Sequence, residues 1–165
     1  MKNFNTVYIA FGSNKGSPHE NIKKALDLLK EFCEIKKLSP LYLTKPEGYL
    51  EQPDFINGAL EATTSLAPQE LLSALKNIEK TLGRKPSFRN APREIDLDIL
   101  FYAQEILHSD NLDIPHKSLS SREFVLAPLS DIAPDFTHPQ NGKTIKELLQ
   151  ELLSQKQHSD IILLK

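Results

Sequence analysis

The chain alternates between short apolar runs and stretches where apolar residues return every three or four positions. Val7-Tyr8-Ile9-Ala10-Phe11 is a β-rich run closed by Gly12-Ser13-Asn14. Ser17-Pro18-His19-Glu20 then has the form of a capping box with proline at the first helical position. Behind it Ile22, Ala25, Leu26, Leu29 and Phe32 share one helical face, which Cys33 extends. Residues 35–44 are extended and interrupted by Ser39-Pro40, residues 45–53 form a polar loop, and residues 55–63 alternate again as a strand. Pro68 opens a second helix with Leu71, Leu72, Leu75, Ile78 and Leu82 on its stripe, and Gly83 ends it. A polar loop, residues 84–93, leads into the clearest strand, residues 94–102.

Further on, a short strand is expected near Leu112-Asp113-Ile114, and Ser120-Ser121-Arg122-Glu123 reads as a capping box for a helix through Leu129. Thr144-Ile145-Lys146-Glu147 caps a last helix with Ile145, Leu148, Leu149, Leu152 and Leu153 inward, and residues 161–164 suit an edge strand. The order β-α-β-β-α-β followed by further elements predicts a ferredoxin-like α+β fold, with helices covering one face of a mostly antiparallel sheet.

Composition narrows the class. The chain has 165 residues, 39% hydrophobic and 25% charged, which suits one globular domain spanning residues 1–165. One cysteine excludes an internal disulfide framework and a cysteine-based zinc site. Twenty basic against twenty-two acidic side chains give a net charge of −2, which argues against broad nucleic-acid or anionic-membrane binding. No stretch reaches the roughly 18 apolar residues of a membrane span, and the first residues lack signal-peptide character, so a cytoplasmic protein is expected.

The sharpest chemistry lies in Arg93-Glu94-Ile95-Asp96-Leu97-Asp98-Ile99-Leu100-Phe101. In a strand, Ile95, Leu97, Ile99 and Phe101 point one way and Asp96 and Asp98 the other. Two carboxylates about 7 Å apart on one face can converge on a hard cation such as Mg²⁺, which fills its other positions with water and phosphate oxygens. Aspartate is depleted in strands, and paired like charges repel without a cation between them. A bare D-x-D occurs in many unrelated proteins, and a basic loop alone is ordinary surface. Here Arg84, Lys85, Arg89 and Arg93 adjoin the pair with no acid among them, as a polyphosphate requires. The sequence contains no P-loop, G-x-G-x-x-G or G-x-S-x-G element. His116 and Arg122 form a second cationic group suited to phosphate or a leaving nucleotide. Phe55, Asn57 and Phe124 offer two aromatic faces and an amide for a planar heterocycle. Gly12-Ser13-Asn14 reads as a plain turn.

Taken together these segments resemble the 6-hydroxymethyl-7,8-dihydropterin pyrophosphokinases of folate biosynthesis. The resemblance rests on Leu82-Gly83-Arg84 followed by residues 91–100, on Ile114-Pro115-His116, on residues 122–129, and on residues 52–59. It implies a monomeric enzyme that moves the diphosphoryl group of ATP to the pterin hydroxymethyl oxygen, releasing AMP, with two Mg²⁺ ions on Asp96 and Asp98. By the same resemblance Thr44, Phe55, Asn57 and Phe124 surround the pterin. Glu79, Arg93, Ile99, His116 and Arg122 line the nucleotide side, Arg84 and Arg93 act on the phosphates, and Arg89 is a further candidate to reach them. Loops 45–53 and 84–92 are expected to close over the substrates. Asn90-Ala91 stands where many members carry Trp-Gly. Two rival readings share some of these features: another Mg²⁺-dependent nucleotidyl- or phosphotransferase, and a non-catalytic ferredoxin-like binding module.

Overall fold

The structure, a computed structural model, describes residues 3–164. Its sheet is organised by β4 (Phe55–Thr64), the longest strand. On one side β4 pairs along its length with β1 (Asn5–Ser13), from Asn5 opposite Thr64 to Ser13 opposite Ile56. On the other side it pairs first with β2 (Glu34–Leu38) and then with β3 (Tyr42–Thr44). These two are halves of one edge path. Pro40, which has no N–H to give a ladder, falls between them. Ser39 stitches the break by donating its N–H to the Ala59 carbonyl and accepting the Ala59 N–H on its hydroxyl.

Helix α1 (Pro18–Leu29) follows β1 and α2 (Pro68–Thr81) follows β4, leading to β5 (Asp96–Tyr102) beside β1. The order β5-β1-β4-β3 with every pairing antiparallel is the ferredoxin-like arrangement that the element order predicts. A small hairpin joins β6 (Leu107–His108) to β7 (Asp113–Ile114). Helices α3 (Glu123–Ile132) and α4 (Ile145–Ser154) come next, and β8 (Ile161–Leu163) closes on β3.

The expectation of helices on one face needs correction, because both faces are covered. Val7, Ile9, Phe11, Leu97 and Ile99 pack against α1 and α2 with Cys33 at the margin. Tyr8, Ala59, Leu100 and Phe101 pack against α3 and α4. Burial pushes the Cys33 thiol up to about 11, as for a packed core residue.

Phe101 also departs from the alternation read along residues 95–101. The register with β1 shifts so that Tyr8 faces Phe101 and Ile9 faces Ile99, leaving Leu100 without an opposite residue. This bulge turns Phe101 to the α3/α4 side, where it joins Tyr8 and Phe136. Two of the three capping boxes are absent: Ser17 and Arg122 occupy the N-cap positions with no side-chain bond. At the second of these, residues 119–121 form a 3₁₀ turn, so the helix begins at Glu123 and runs on to Ile132. Thr144 does form its box with Glu147. Leu153 lies on the solvent side of α4.

Candidate active site

Along β1 the side chains facing α3 and α4 shrink from Tyr8 to Ala10 to Gly12, and α3 begins only at Glu123. The sheet is therefore uncovered at that end, and a cavity opens over Ala10 and Gly12. Asp96 sits opposite Gly12 and Asp98 opposite Ala10, so both carboxylates rise from its floor. Gly12 has a steric reason to be glycine. A Cβ there would lie 2.1 Å from Asn57 Oδ1, which crosses β1 at that point.

The opposite wall comes from β3 and β4. Asn57 donates to Thr44 Oγ1 at 2.6 Å, and both residues are buried. Phe55 pairs with Thr44 across the strands, and Phe124, at the start of α3, faces the same cavity. Arg122 stands over the Phe124 ring at 5.6 Å and meets Glu47 of the 45–53 loop at 3.2 Å. His116 completes the rim. Its Nδ1 accepts the Ser118 N–H, which leaves Nε2 as the donor, and burial followed by the Arg122 charge lowers its pKa.

Burial, and after it the Asp96 carboxylate, pushes Asp98 up to about 7. Asp96 already has a cation. The Arg84 guanidinium lies 3.1 Å from Asp96 Oδ1 and 2.8 Å from Glu79 Oε2. Gly83 makes this geometry possible. Its φ of +103° reverses the chain at the end of α2, so that Gly83 N–H bonds to Lys80 and Arg84 N–H to the Glu79 carbonyl. Glu79 is 3% exposed, accepts the Leu97 N–H at 2.8 Å, and meets Lys76 at 3.3 Å. Burial raises its pKa against the lowering effects of that N–H and the two cations.

Nine of the candidate residues thus line one cavity: Asp96 and Asp98 on its floor, Thr44, Phe55, Asn57 and Phe124 on its wall, and Arg93, His116 and Arg122 at its rim. Glu79 and Arg84 lie outside it, in an adjoining open cleft shared with Lys76, Lys80 and Lys85. Arg93 lines both hollows. Ile99 is apart from them, because its side chain is in the α1/α2 core. Any contact it makes with a nucleotide is restricted to its backbone on β5, the strand at the sheet's edge. Arg89 lines neither hollow.

The pair fits Mg²⁺ by its donor chemistry, two hard carboxylates with room left for water and phosphate. Among the described residues no set of three or more His, Cys, Asp and Glu side chains converges as a metal cage.

Asn14 has a larger part than a plain turn. It donates to Gln52 Oε1 and the Pro53 carbonyl, both at 2.8 Å, and accepts the Arg93 N–H at 2.8 Å. Gln52 in turn donates to the Asn90 carbonyl at 2.7 Å, and Tyr49 meets Phe88 edge-on. The 45–53 and 84–93 loops are therefore already joined across the mouth. Nothing local signals this, since the partners of Asn14 lie 38 and 79 positions away.

The chain matches the family of 7,8-dihydro-6-hydroxymethylpterin-pyrophosphokinase (HPPK) over residues 8–134. It is 45% identical to the 2-amino-4-hydroxy-6-hydroxymethyldihydropteridine pyrophosphokinase of Aquifex aeolicus, covering 88% of this chain and 91% of that one. For the enzyme of the same name from Pseudomonas aeruginosa the figures are 43% identity, 87% and 89%. A folic acid synthesis protein of Dictyostelium discoideum is 47% identical over 82% of this chain, which spans 20% of that longer protein. Among solved structures, Plasmodium falciparum HPPK-DHPS, wild type with pteroate, superposes with a TM-score of 0.76 at 18% identity, covering 93% of this chain and 43% of that one. That last likeness concerns the fold. The sequence relatives define the class, a transferase of diphosphate groups. The chain belongs to the 7,8-dihydro-6-hydroxymethylpterin-pyrophosphokinase family.

Proposed function

We propose that this chain, as a single-domain cytoplasmic monomer, transfers the β,γ-diphosphoryl group of ATP to the hydroxymethyl oxygen of 6-hydroxymethyl-7,8-dihydropterin in folate synthesis. The observation that carries this reading is the juxtaposition in one cavity of a ring-binding wall and a carboxylate pair rimmed by cations.

Phe55 and Phe124 would hold the pterin ring by its faces, while Thr44 and Asn57 read its edge. That places the hydroxymethyl group toward the carboxylates. Asp96 and Asp98 would hold two Mg²⁺ ions. Bound there, the metal neutralises phosphate charge and orients the attacking hydroxyl. The hydroxymethyl oxygen bonds to the β-phosphorus as the bond to the α–β bridging oxygen breaks; AMP leaves, and the hydroxyl proton passes to the Asp96–Asp98 carboxylate pair and from there to solvent. Arg93, Arg122 and the His116 Nε2–H face the cavity and would stabilise the departing charge. Arg84, which pairs with Asp96, would turn from it to a phosphate, with Lys76 remaining on Glu79. The gain from the whole arrangement is positioning and electrostatics.

Product analysis after incubation with ATP, Mg²⁺ and the dihydropterin tests this. The expected outcome is AMP and a diphosphorylated pterin in equal amounts. Pyrophosphate with a nucleotidylated pterin would identify the rival nucleotidyl transfer, and binding without ATP consumption a non-catalytic module.

A further inference from the structure

The family match ends at residue 134, yet the last turn of the chain reaches the cavity's supports. Glu123, the first residue of α3, is 5% exposed. Its carboxylate accepts the Ser159 hydroxyl, the Asp160 N–H at 3.2 Å and the Lys156 ammonium at 3.4 Å, all from the segment after α4. A carboxylate so buried is costly unless satisfied, so these three donors form a strong attachment. Lys156 is itself held by Asp160 at 2.9 Å. Immediately beyond, β8 pairs with β3, setting Ile161 opposite Thr44, and Leu164 N–H bonds to the Leu41 carbonyl. The neighbours of Glu123 in the chain are Arg122 and Phe124, and Thr44 holds Asn57.

We infer that residues 155–164 are a strap that positions the ring-binding wall, with Glu123 as its anchor. One end of the strap fixes the start of α3, and with it Phe124. The other fixes the end of β3, and with it Thr44. It joins the two sides between which a planar ring must fit, while touching neither carboxylate of the Asp96–Asp98 pair. Glu123, Ser159 and Lys156 are therefore positioning residues; their effect falls first on the heterocycle, through Phe124 and Thr44, and to a lesser degree on the nucleotide, through Arg122. This rests on the reading of the cavity given above.

The test is steady-state kinetics on the full chain. Ser159→Ala and Lys156→Ala are expected to raise the KM for 6-hydroxymethyl-7,8-dihydropterin five- to tenfold. The KM for ATP and kcat should stay within twofold. Ser159→Thr, which restores the hydroxyl, should return the pterin KM to within twofold of the parent. Glu123→Ala risks the fold and is replaced by Glu123→Gln, for which an intermediate rise is expected. An unchanged pterin KM in both alanine variants would overturn the inference. So would a joint change of both KM values and kcat with a falling unfolding midpoint, the signature of a merely structural segment. Phe124→Ala separates the two levels. If it weakens pterin binding while Ser159→Ala does not, the strap fails and the cavity reading stands. If Phe124→Ala leaves pterin binding intact, the cavity reading fails and the strap with it.

Discussion

The α3/α4 face of the sheet has two ends built on the same strands, and they do opposite things. At one end Tyr8, Phe101 and Phe136 interlock, with ring centroids 4.7 to 6.3 Å apart, and helices seal them. At the other, Ala10 and Gly12 replace the aromatic on β1, and Asp98 and Asp96 replace Phe101 on β5. The first end is satisfied by its own packing. The second leaves open space and a pair of carboxylates, of which only Asp96 meets a cation of the chain, Arg84. Their separation lies at Leu100, where the bulge changes which residues of β5 face α3. Alternation decides the face a side chain joins. Side-chain size and the reach of the helices decide whether that face becomes core or site.

The largest effect expected from breaking this contrast is at the open end. Asp96→Ala and Asp98→Ala should each lower AMP formation by about a thousandfold, because the cation that neutralises the transferring group loses half its protein ligands. Thermal unfolding should show the fold intact, as neither carboxylate belongs to a packed cluster. A turnover rate near normal in either variant would sink the carboxylate-pair reading. The filled end should respond in the reverse way. Phe101→Ala should cost about 3–5 kcal/mol of stability in denaturant titration, with kcat per folded molecule changed little.

That contrast also marks what the sequence could and could not tell. The strand and helix periods made the ferredoxin-like core legible, and the two aspartates declared a shared face by spacing alone. The bulge was hidden, since nothing in Leu100-Phe101 distinguishes a regular strand from one with an extra residue; the register depends on β1, some ninety positions earlier. The second helical layer is hidden for a related reason. The apolar stripe of α4 was plain, but which sheet face it covers is set by tertiary packing. The cavity's residues were found chiefly because their motifs resemble a family. Asn14, Gln52 and the Glu123 strap were missed because their partners are distant and their local sequences ordinary. Ile99 sits in a core run, and periodicity alone already turns its side chain away from the aspartates.

A pH series compares the ends without substrate. With metal removed by chelation, Asp98 has a folded-state pKa of about 7 against 3.8 for an ordinary carboxyl. A raised carboxyl contributes stability fully present below pH 3.8 and lost as pH rises through 7. Between those limits this group's share of stability should fall by about 4 kcal/mol. Asp98→Asn should flatten the decline, whereas Phe101→Ala should shift the whole curve downward without changing its shape. Identical slopes for the parent and Asp98→Asn would mean that the open end holds no such charge strain.

The smallest effect concerns how the open end is kept intact while empty of substrate. Arg84 neutralises Asp96 and is itself tethered to buried Glu79, so a cation entering at Asp96 must displace a guanidinium rather than water. The Asp96 carboxylate is 39% exposed, and ion pairs of that kind contribute about 1 kcal/mol or less. Arg84→Ala should therefore tighten the binding of Mn²⁺ or Mg²⁺ in the absence of nucleotide by only about threefold. With ATP present the same variant should lose activity, because the side chain that vacates Asp96 is the one proposed to reach the phosphates. Calorimetric titration of the nucleotide-free protein separates these roles. Tighter metal binding with slower turnover fits an arginine that alternates between the two anions. Unchanged metal affinity would mean that Arg84 does not compete for the pair, and that the open end is balanced by some other cation.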